Sequence, residues 1–80
     1  MGHALKFRRK IMKLDYSKKY TDKRGSAIIR GITYAGWHCF VRRQLPNGKP
    51  ITWAEYNAGL GAYARWEPFS SPNIKEFTHE

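Results

Sequence analysis

The chain reads GSAIIRGITYAGWHCFVRRQL over residues 25–45, a run rich in β-branched and aromatic side chains. The small pair Ala35-Gly36 divides this run in two. We therefore predict one strand over residues 26–34 and a second over residues 37–45. Because successive strand residues point to opposite faces, the second strand has two different sides. The expected core side carries Trp37, Cys39, Val41 and Leu45, and the other side carries His38, Phe40, Arg42 and Gln44.

The next six residues, LPNGKP at 45–50, predict a hairpin turn. Pro46 favours the φ of the first central turn position, and Gly48 accepts the positive φ that closes a three-residue loop. The chain should then return in a short strand over residues 49–52. In this register the facing pairs are Val41 with Trp53 and Arg43 with Ile51.

A helix is predicted directly after this short strand. Thr52 and Glu55 have the spacing of a capping box, in which each side chain bonds to the backbone N–H of the other residue. Apolar residues then fall on one side of a helical wheel, which predicts an amphipathic helix over residues 53–66. Two glycines oppose this helix by about 1 kcal/mol each. The predicted core contains Trp37, Val41, Trp53, Leu60 and Tyr63.

Residues 1–24 form a basic leader ahead of the predicted domain, which covers residues 25–80. The leader has nine basic and two acidic residues, or +7, whereas the rest has six basic and four acidic residues, or +2. Its apolar pattern is ambiguous. Met12, Leu14 and Tyr16 alternate as in a strand, but Ala4, Phe7, Ile11 and Leu14 have helical spacing. We expect a short, conditional helix between about residues 4 and 19.

Together these elements predict an α+β fold, in which a small antiparallel β-meander carries one helix on one face and follows a basic leader. A chain of 80 residues suffices for one small domain. It shows no secretory signal, and no apolar run approaches the roughly 20 residues of a membrane span. The expected compartment is therefore the cytoplasm, or the nucleoid within it.

The sequence shows no catalytic constellation. Glu55 and Glu67 would lie roughly 18 Å apart along one helix, too far for a pair of catalytic carboxylates. The pair His38-Cys39 lacks the further ligands of a zinc site. We therefore expect no enzyme activity, no metal and no cofactor. A small metal-free nuclease that uses His38, Arg42 and a tyrosine stays a lesser alternative.

Clustered cations favour a nucleic-acid partner, DNA or RNA, because they displace condensed counterions from phosphates. Exposed aromatic rings stack on unpaired bases. The side that carries His38, Phe40 and Arg42 either offers such a platform or packs under the leader or the helix. A further mode inserts the sheet into a major groove, where Arg42, Arg43 and Gln44 reach base edges. The candidate binding residues are Lys6, Arg8, Arg9, Lys10, Lys13, Lys18, Lys19, Lys23, Arg24, Arg30, Phe40, Arg42, Arg43 and Lys49.

Other roles fit the same composition. Trp, Tyr and Arg dominate protein interfaces, and a sheet edge can dock a partner. The chain would then be a phage-type inhibitor of a nucleic-acid enzyme, or an accessory subunit of a nucleoprotein complex such as a ribosome. The leader could also be a solvated segment that only aids solubility. We expect no membrane binding, because the leader has no tryptophan and Asp15 interrupts its apolar side.

Part of the chain, over residues 27–66, resembles a known architecture. The matching residues are Gly36, Trp37, Arg42, Arg43, Asn47, Gly48, Lys49, Ala62 and Tyr63. In their order they are similar to the AP2-type and integrase-arm-type domains, which read DNA with a three-stranded sheet and carry one helix. The resemblance implies that Arg30, Arg42 and Arg43 face DNA.

Overall fold

The structure, a computed structural model, describes residues 11–77. Their elements are β1 (Ile11–Thr21), β2 (Ile28–Thr33), β3 (His38–Gln44), α1 (Trp53–Asn57), β4 (Arg65–Phe69) and β5 (Lys75–Glu76). The strands form one antiparallel sheet in the order β4-β3-β2-β1-β5. The fold is therefore mostly β, and the predicted antiparallel sheet with a helix is confirmed at this coarse level.

The two central strands, β2 and β3, lie within the bounds that the sequence predicted, and they pair antiparallel. Their turn depends on Gly36, whose φ of 86° is costly for any residue with a Cβ. The Thr33 N–H donates to the Trp37 carbonyl at 3.0 Å, and the Thr33 hydroxyl accepts from the Trp37 N–H at 3.2 Å. These bonds close the hairpin.

The predicted turn at residues 45–50 is also present. Gly48 has a φ of 87°, and the Ile51 N–H donates to the Arg43 carbonyl at 3.1 Å, which confirms the predicted Arg43–Ile51 pairing. The expected strand over residues 49–52 is reduced to two isolated bridges, Gln44 with Pro50 and Ser26 with Thr52. Pro50 has no N–H to donate, and the chain then changes partner from β3 to the residues before β2.

The helix is much shorter than predicted. Its capping box is confirmed, since the Glu55 N–H donates to the Thr52 hydroxyl at 3.1 Å and the Thr52 N–H to the Glu55 carboxylate at 2.8 Å. The helix ends at Asn57, and Gly59 adopts a φ of 75°. The N–H groups of Gly59 and Leu60 close a Schellman motif on the carbonyls of Tyr56 and Glu55. The prediction of a helix over residues 53–66 is therefore wrong beyond residue 57.

The predicted helix over residues 4–19 is wrong in its described part. Residues 11–21 are β1, which pairs antiparallel with β2, and residues 1–10 lie outside the described residues. The strand-like alternation was the informative pattern. Pairing is interrupted between Asp15 and Tyr20, where the carboxylate of Asp15 accepts the N–H of Ser17 at 2.9 Å and its hydroxyl at 2.6 Å. The segment between them bulges from the ladder.

The main core lies on one face of the sheet. Val41 and Trp53, two of the predicted core residues, are 0% and 2% exposed. The other three predicted core residues are exposed: Trp37 by 73%, Leu60 by 69% and Tyr63 by 85%. Leu60 and Tyr63 are exposed because the helix ends before them, and Trp37 because it precedes β3. Within residues 11–77 no helix is long and apolar enough to cross a membrane. The core cluster is Ala27, Ile29, Val41 and Trp53, with Ile11, Leu14, Cys39, Tyr56, Trp66 and Phe77 packed against it.

Candidate nucleic-acid interface

The side of the sheet opposite this core carries paired arginine and phenylalanine side chains, and we call it the Arg–Phe face. Its central row runs across the strands through Arg30, Phe40 and Phe69, which are successive register partners. In the next row Arg42 is the partner of Ile28 and Glu67. Because Val41 lies in the core, its neighbours Phe40 and Arg42 point to the other side.

Each phenylalanine on this face contacts a guanidinium group. The Arg30 guanidinium carbon lies 5.6 Å from the Phe40 ring centroid, and that of Arg42 lies 4.1 Å from the Phe69 centroid. Tyr20 adds an edge-to-face contact with Phe40, at 5.2 Å between centroids. These cation–π and aromatic contacts fix the side chains in place. The sequence predicted Arg30, Phe40 and Arg42 here but missed Tyr20 and Phe69.

Phe40 is half-buried and lies beside a shallow depression of about 270 Å³. Arg30, His38 and Cys39 complete its lining, and the His38 side chain is exposed. An aromatic ring, a guanidinium and an imidazole therefore meet at one concave spot. Packing of this side under the helix is wrong, since α1 lies on the core side. Tyr20, which belongs to the predicted leader, does contact the Phe40 ring, and residues 1–10 of the leader lie outside the described residues.

Arg42 is held by an acid as well as by Phe69. Its Nη1 lies 3.6 Å from Oδ2 of Asp22. The other oxygen of Asp22 accepts the backbone N–H groups of Arg24 at 2.9 Å and Ser26 at 3.1 Å. Burial alone would raise the pKa of Asp22, but the hydrogen bonds from Ser26 and Arg24 and the charge of Arg42 together lower it below the ordinary 3.8. Asp22 therefore stays ionised and orders the β1–β2 turn.

Arg43 points to the opposite side, although the sequence grouped it with Arg42. Its Nη2 donates to the Gly61 carbonyl at 3.3 Å, and its guanidinium carbon lies 5.5 Å from the ring centroids of both Tyr56 and Trp66. Neighbouring strand residues cannot present both guanidinium groups to one ligand on one face. Arg43 is thus engaged in holding the 58–64 loop against the core.

The remaining predicted cations are exposed. Lys13, Lys18 and Lys19 lie on β1, and Lys23 and Arg24 lie in the turn that follows. Lys49 lies exposed in the turn after β3. Lys19 sits 5.1 Å from the Trp53 ring centroid. Among the described side chains only Arg42 and Arg65 form ion pairs with carboxylates. Four further candidates, Lys6, Arg8, Arg9 and Lys10, lie outside the described residues.

Two other features bear on chemistry. Burial raises the pKa of the Cys39 thiol, which keeps it protonated and a poor nucleophile. A larger depression of about 650 Å³ lies between α1 and the end of β1, beside Trp53, Asn57 and Phe77, and no charged residue lines it. In the part of the chain from 11 to 77, no three His, Cys, Asp or Glu side chains are grouped so as to hold a metal ion.

Comparisons with protein-family models, with curated proteins and with solved structures gave no match to this chain. The resemblance to AP2-type and integrase-arm-type domains stays a prediction. Ala62 and Tyr63, which it assigned to the helix, lie in the turn between α1 and β4. The resemblance implied that Arg43 faces DNA, but Arg43 contacts the Gly61 carbonyl on the core side.

Proposed function

We propose that this protein binds nucleic acid without catalysing a reaction. The observation that carries the proposal is the run of exposed cations along the end of β1 and the turn after it: Lys18, Lys19, Lys23 and Arg24. No carboxylate of the described residues pairs with them. Lys23 and Arg24 belong to the turn whose Asp22 side chain contacts Arg42 on the Arg–Phe face. These two cations therefore lie in a turn that is held to the face with the candidate stacking rings, whereas Lys19 lies over Trp53 on the core side.

The overall charge supports the same proposal. The net charge of +9 gives a field that attracts polyanions at long range. Residues 1–10 add Lys6, Arg8, Arg9 and Lys10 and no acid. The expected location in the cytoplasm or at the nucleoid stays a prediction that accords with this partner.

Salt dependence tests the proposal. Affinity for a labelled single strand, a duplex and an RNA hairpin should fall steeply between roughly 50 and 200 mM salt. The triple variant K18Q/K23Q/R24Q should lower the slope of log K against log salt by about 2 for a single strand, at about 0.7 per phosphate contact. The control R65Q/E67Q removes an exposed ion pair without changing net charge, and should leave the slope unchanged. If wild-type protein binds none of the three probes at the lower salt, the proposal is wrong.

A protein partner is the second candidate, favoured by one observation. Six large apolar side chains of the described residues are more than half exposed: Met12, Tyr16, Tyr34, Trp37, Leu60 and Tyr63. Trp and Tyr are the types that dominate interface hot spots. This candidate corresponds to the inhibitor or accessory-subunit role. Suppose that the protein binds a nucleic-acid enzyme, that this binding does not depend on salt, and that W37A or Y63A abolishes it. This result would favour a protein partner over the primary proposal.

A further inference from the structure

We propose that the depression formed by Arg30, His38 and Phe40 holds one unpaired base of a single-stranded nucleic acid. This inference rests on the proposed function and specifies its ligand. Three observations support it: the shape of the depression, the chemistry of its lining, and the opposite orientations of Arg42 and Arg43.

The depression is small and open to solvent. Its volume of about 270 Å³ is below the roughly 300–1,000 Å³ of sites that enclose whole small molecules. The planes of the Tyr20 and Phe40 rings meet at 77°, so Tyr20 covers only part of the Phe40 ring. Arg30 lies 5.6 Å from the ring centroid, further than a tight stack requires. A planar base can therefore lie against the Phe40 ring or the guanidinium plane.

The lining also offers hydrogen-bond partners suited to a base edge. Arg30 has donors in a planar fork, and the exposed His38 imidazole has both a donor and an acceptor when neutral. Asp15, the register partner of Arg30 on β1, accepts the Ser17 hydroxyl and N–H. The hydrogen bonds from Ser17 and, to a lesser extent, the charge of Arg30 lower the pKa of Asp15. The Arg30 guanidinium lies 5.6 Å from the Phe40 ring centroid and forms no described ion pair, so its N–H donors can also reach the edge of a base beside that ring.

A duplex fits this surface poorly. Its bases are stacked, and placing one in the depression requires extrusion, which costs a few kcal/mol. The groove-reading mode needs Arg42 and Arg43 on the same side of the sheet, yet Arg43 points to the core side and donates to Gly61. A single strand has no such cost, because its bases are already accessible.

The test compares three probes of equal length at fixed salt: a mixed-sequence single strand, the same strand with abasic residues throughout, and the duplex. The abasic strand keeps the phosphates and removes only the bases. Wild-type protein should bind the ordinary strand about 5- to 150-fold more tightly than the abasic strand, the effect of one stacked base. It should also prefer that strand to the duplex.

Two matched substitutions locate the base. F40L should reduce affinity for the ordinary strand to that for the abasic strand, and F40Y, which keeps a ring, should restore it. Y16L removes an aromatic ring on the core side of the sheet, where Tyr16 contacts Trp66 at 6.3 Å between centroids and does not line the depression. It should change affinity less than about 2-fold, within ordinary surface effects.

The outcomes separate the two proposals. Equal affinity of wild-type protein for the ordinary and abasic strands would overturn the base site and leave nucleic-acid binding intact. Equal losses in F40L and Y16L would also overturn it, since the effect would then not belong to this depression. Absence of binding to all three probes would overturn the proposed function and the base site together. The wild-type comparison needs no variant to fold.

Discussion

Replacing Arg43 by Ala should destabilise the protein far more than the same change at Arg24, although both are arginines of a basic chain. Arg43 donates to the Gly61 carbonyl, and its guanidinium contacts both the Tyr56 and the Trp66 ring. Arg24 is exposed, and no described side chain pairs with it. The substitution therefore separates a structural arginine from one available to a ligand.

The magnitude follows from the contacts. A hydrogen bond from a charged donor contributes about 1.5–3 kcal/mol, and the length of 3.3 Å favours the lower end. Two ring contacts at 5.5 Å add about 0.5 kcal/mol each. The expected loss in R43A is about 2.5 kcal/mol, which lowers the Tm of a domain this size by about 10–20 °C. It is a large share of the about 4–12 kcal/mol available to 80 residues.

Thermal and urea unfolding, followed by tryptophan fluorescence, measure this loss. R24A should stay within about 0.5 kcal/mol of wild type. R43K keeps the charge but not the planar fork, so it should fall between wild type and R43A. Below its Tm, R43A should bind nucleic acid as wild type does, whereas R24A should bind more weakly. If R43A is as stable as R24A, the contacts of Arg43 with the loop contribute nothing and the reasoning fails.

Three further predictions concern the loop, the cap and the turn. Gly61→Ala would place a Cβ 2.6 Å from the Ile51 Cδ1 atom and should lower the free energy of unfolding by about 1–3 kcal/mol, measured by denaturation. Adding I51V, which removes that Cδ1 atom, should recover part of the loss. Thr52→Ala removes the capping box and should cost about 1 kcal/mol by the same measurement. Asp22→Asn should destabilise the protein at pH 6, and the difference should shrink as the pH falls below 3.8. The lowered pKa of Asp22 gives stability that is present above 3.8 and is lost as the pH falls through the folded-state pKa.

Each of these has a result that would contradict it. An additive loss in G61A/I51V would show that the Ile51 methyl is not the obstacle. A T52A variant with wild-type stability would mean that the short helix does not need its cap. For Asp22, a difference between D22N and wild type that is the same at pH 6 and pH 3 would show that its ionised form contributes no stability.

The central hairpin and its turn could be predicted because local signals fix them. A run rich in β-branched and aromatic residues specifies β2 and β3, and Gly36 and Gly48 specify the turns that follow. The capping box likewise marked the start of α1 correctly. These features depend on residues within a few positions of each other, and no distant partner competes with them.

The remaining elements depend on distant partners. The β1 segment fits both a helical and a strand-like period, and its pairing with β2 selects the strand. The helical wheel predicted that α1 continues through Gly59. The Schellman motif instead ends the helix there, and residues 65–69 pair with β3 as β4. Phe69 could not be placed on the Arg–Phe face because that requires the β3–β4 register.

Asp22 links the two halves of the proposed site. One of its oxygens fixes the backbone of the turn that carries Lys23 and Arg24, and the other faces Arg42 on the Arg–Phe face. An acid here weakens the local positive potential, which opposes phosphate binding. It also holds the cations and the aromatic rings in one fixed arrangement, so less side-chain freedom is lost when a ligand binds. Asp22 removes only one unit of positive charge from a chain whose net charge is +9. Without Asp22, two backbone N–H groups of the turn would lose their acceptor, and the ligand itself would have to order the turn.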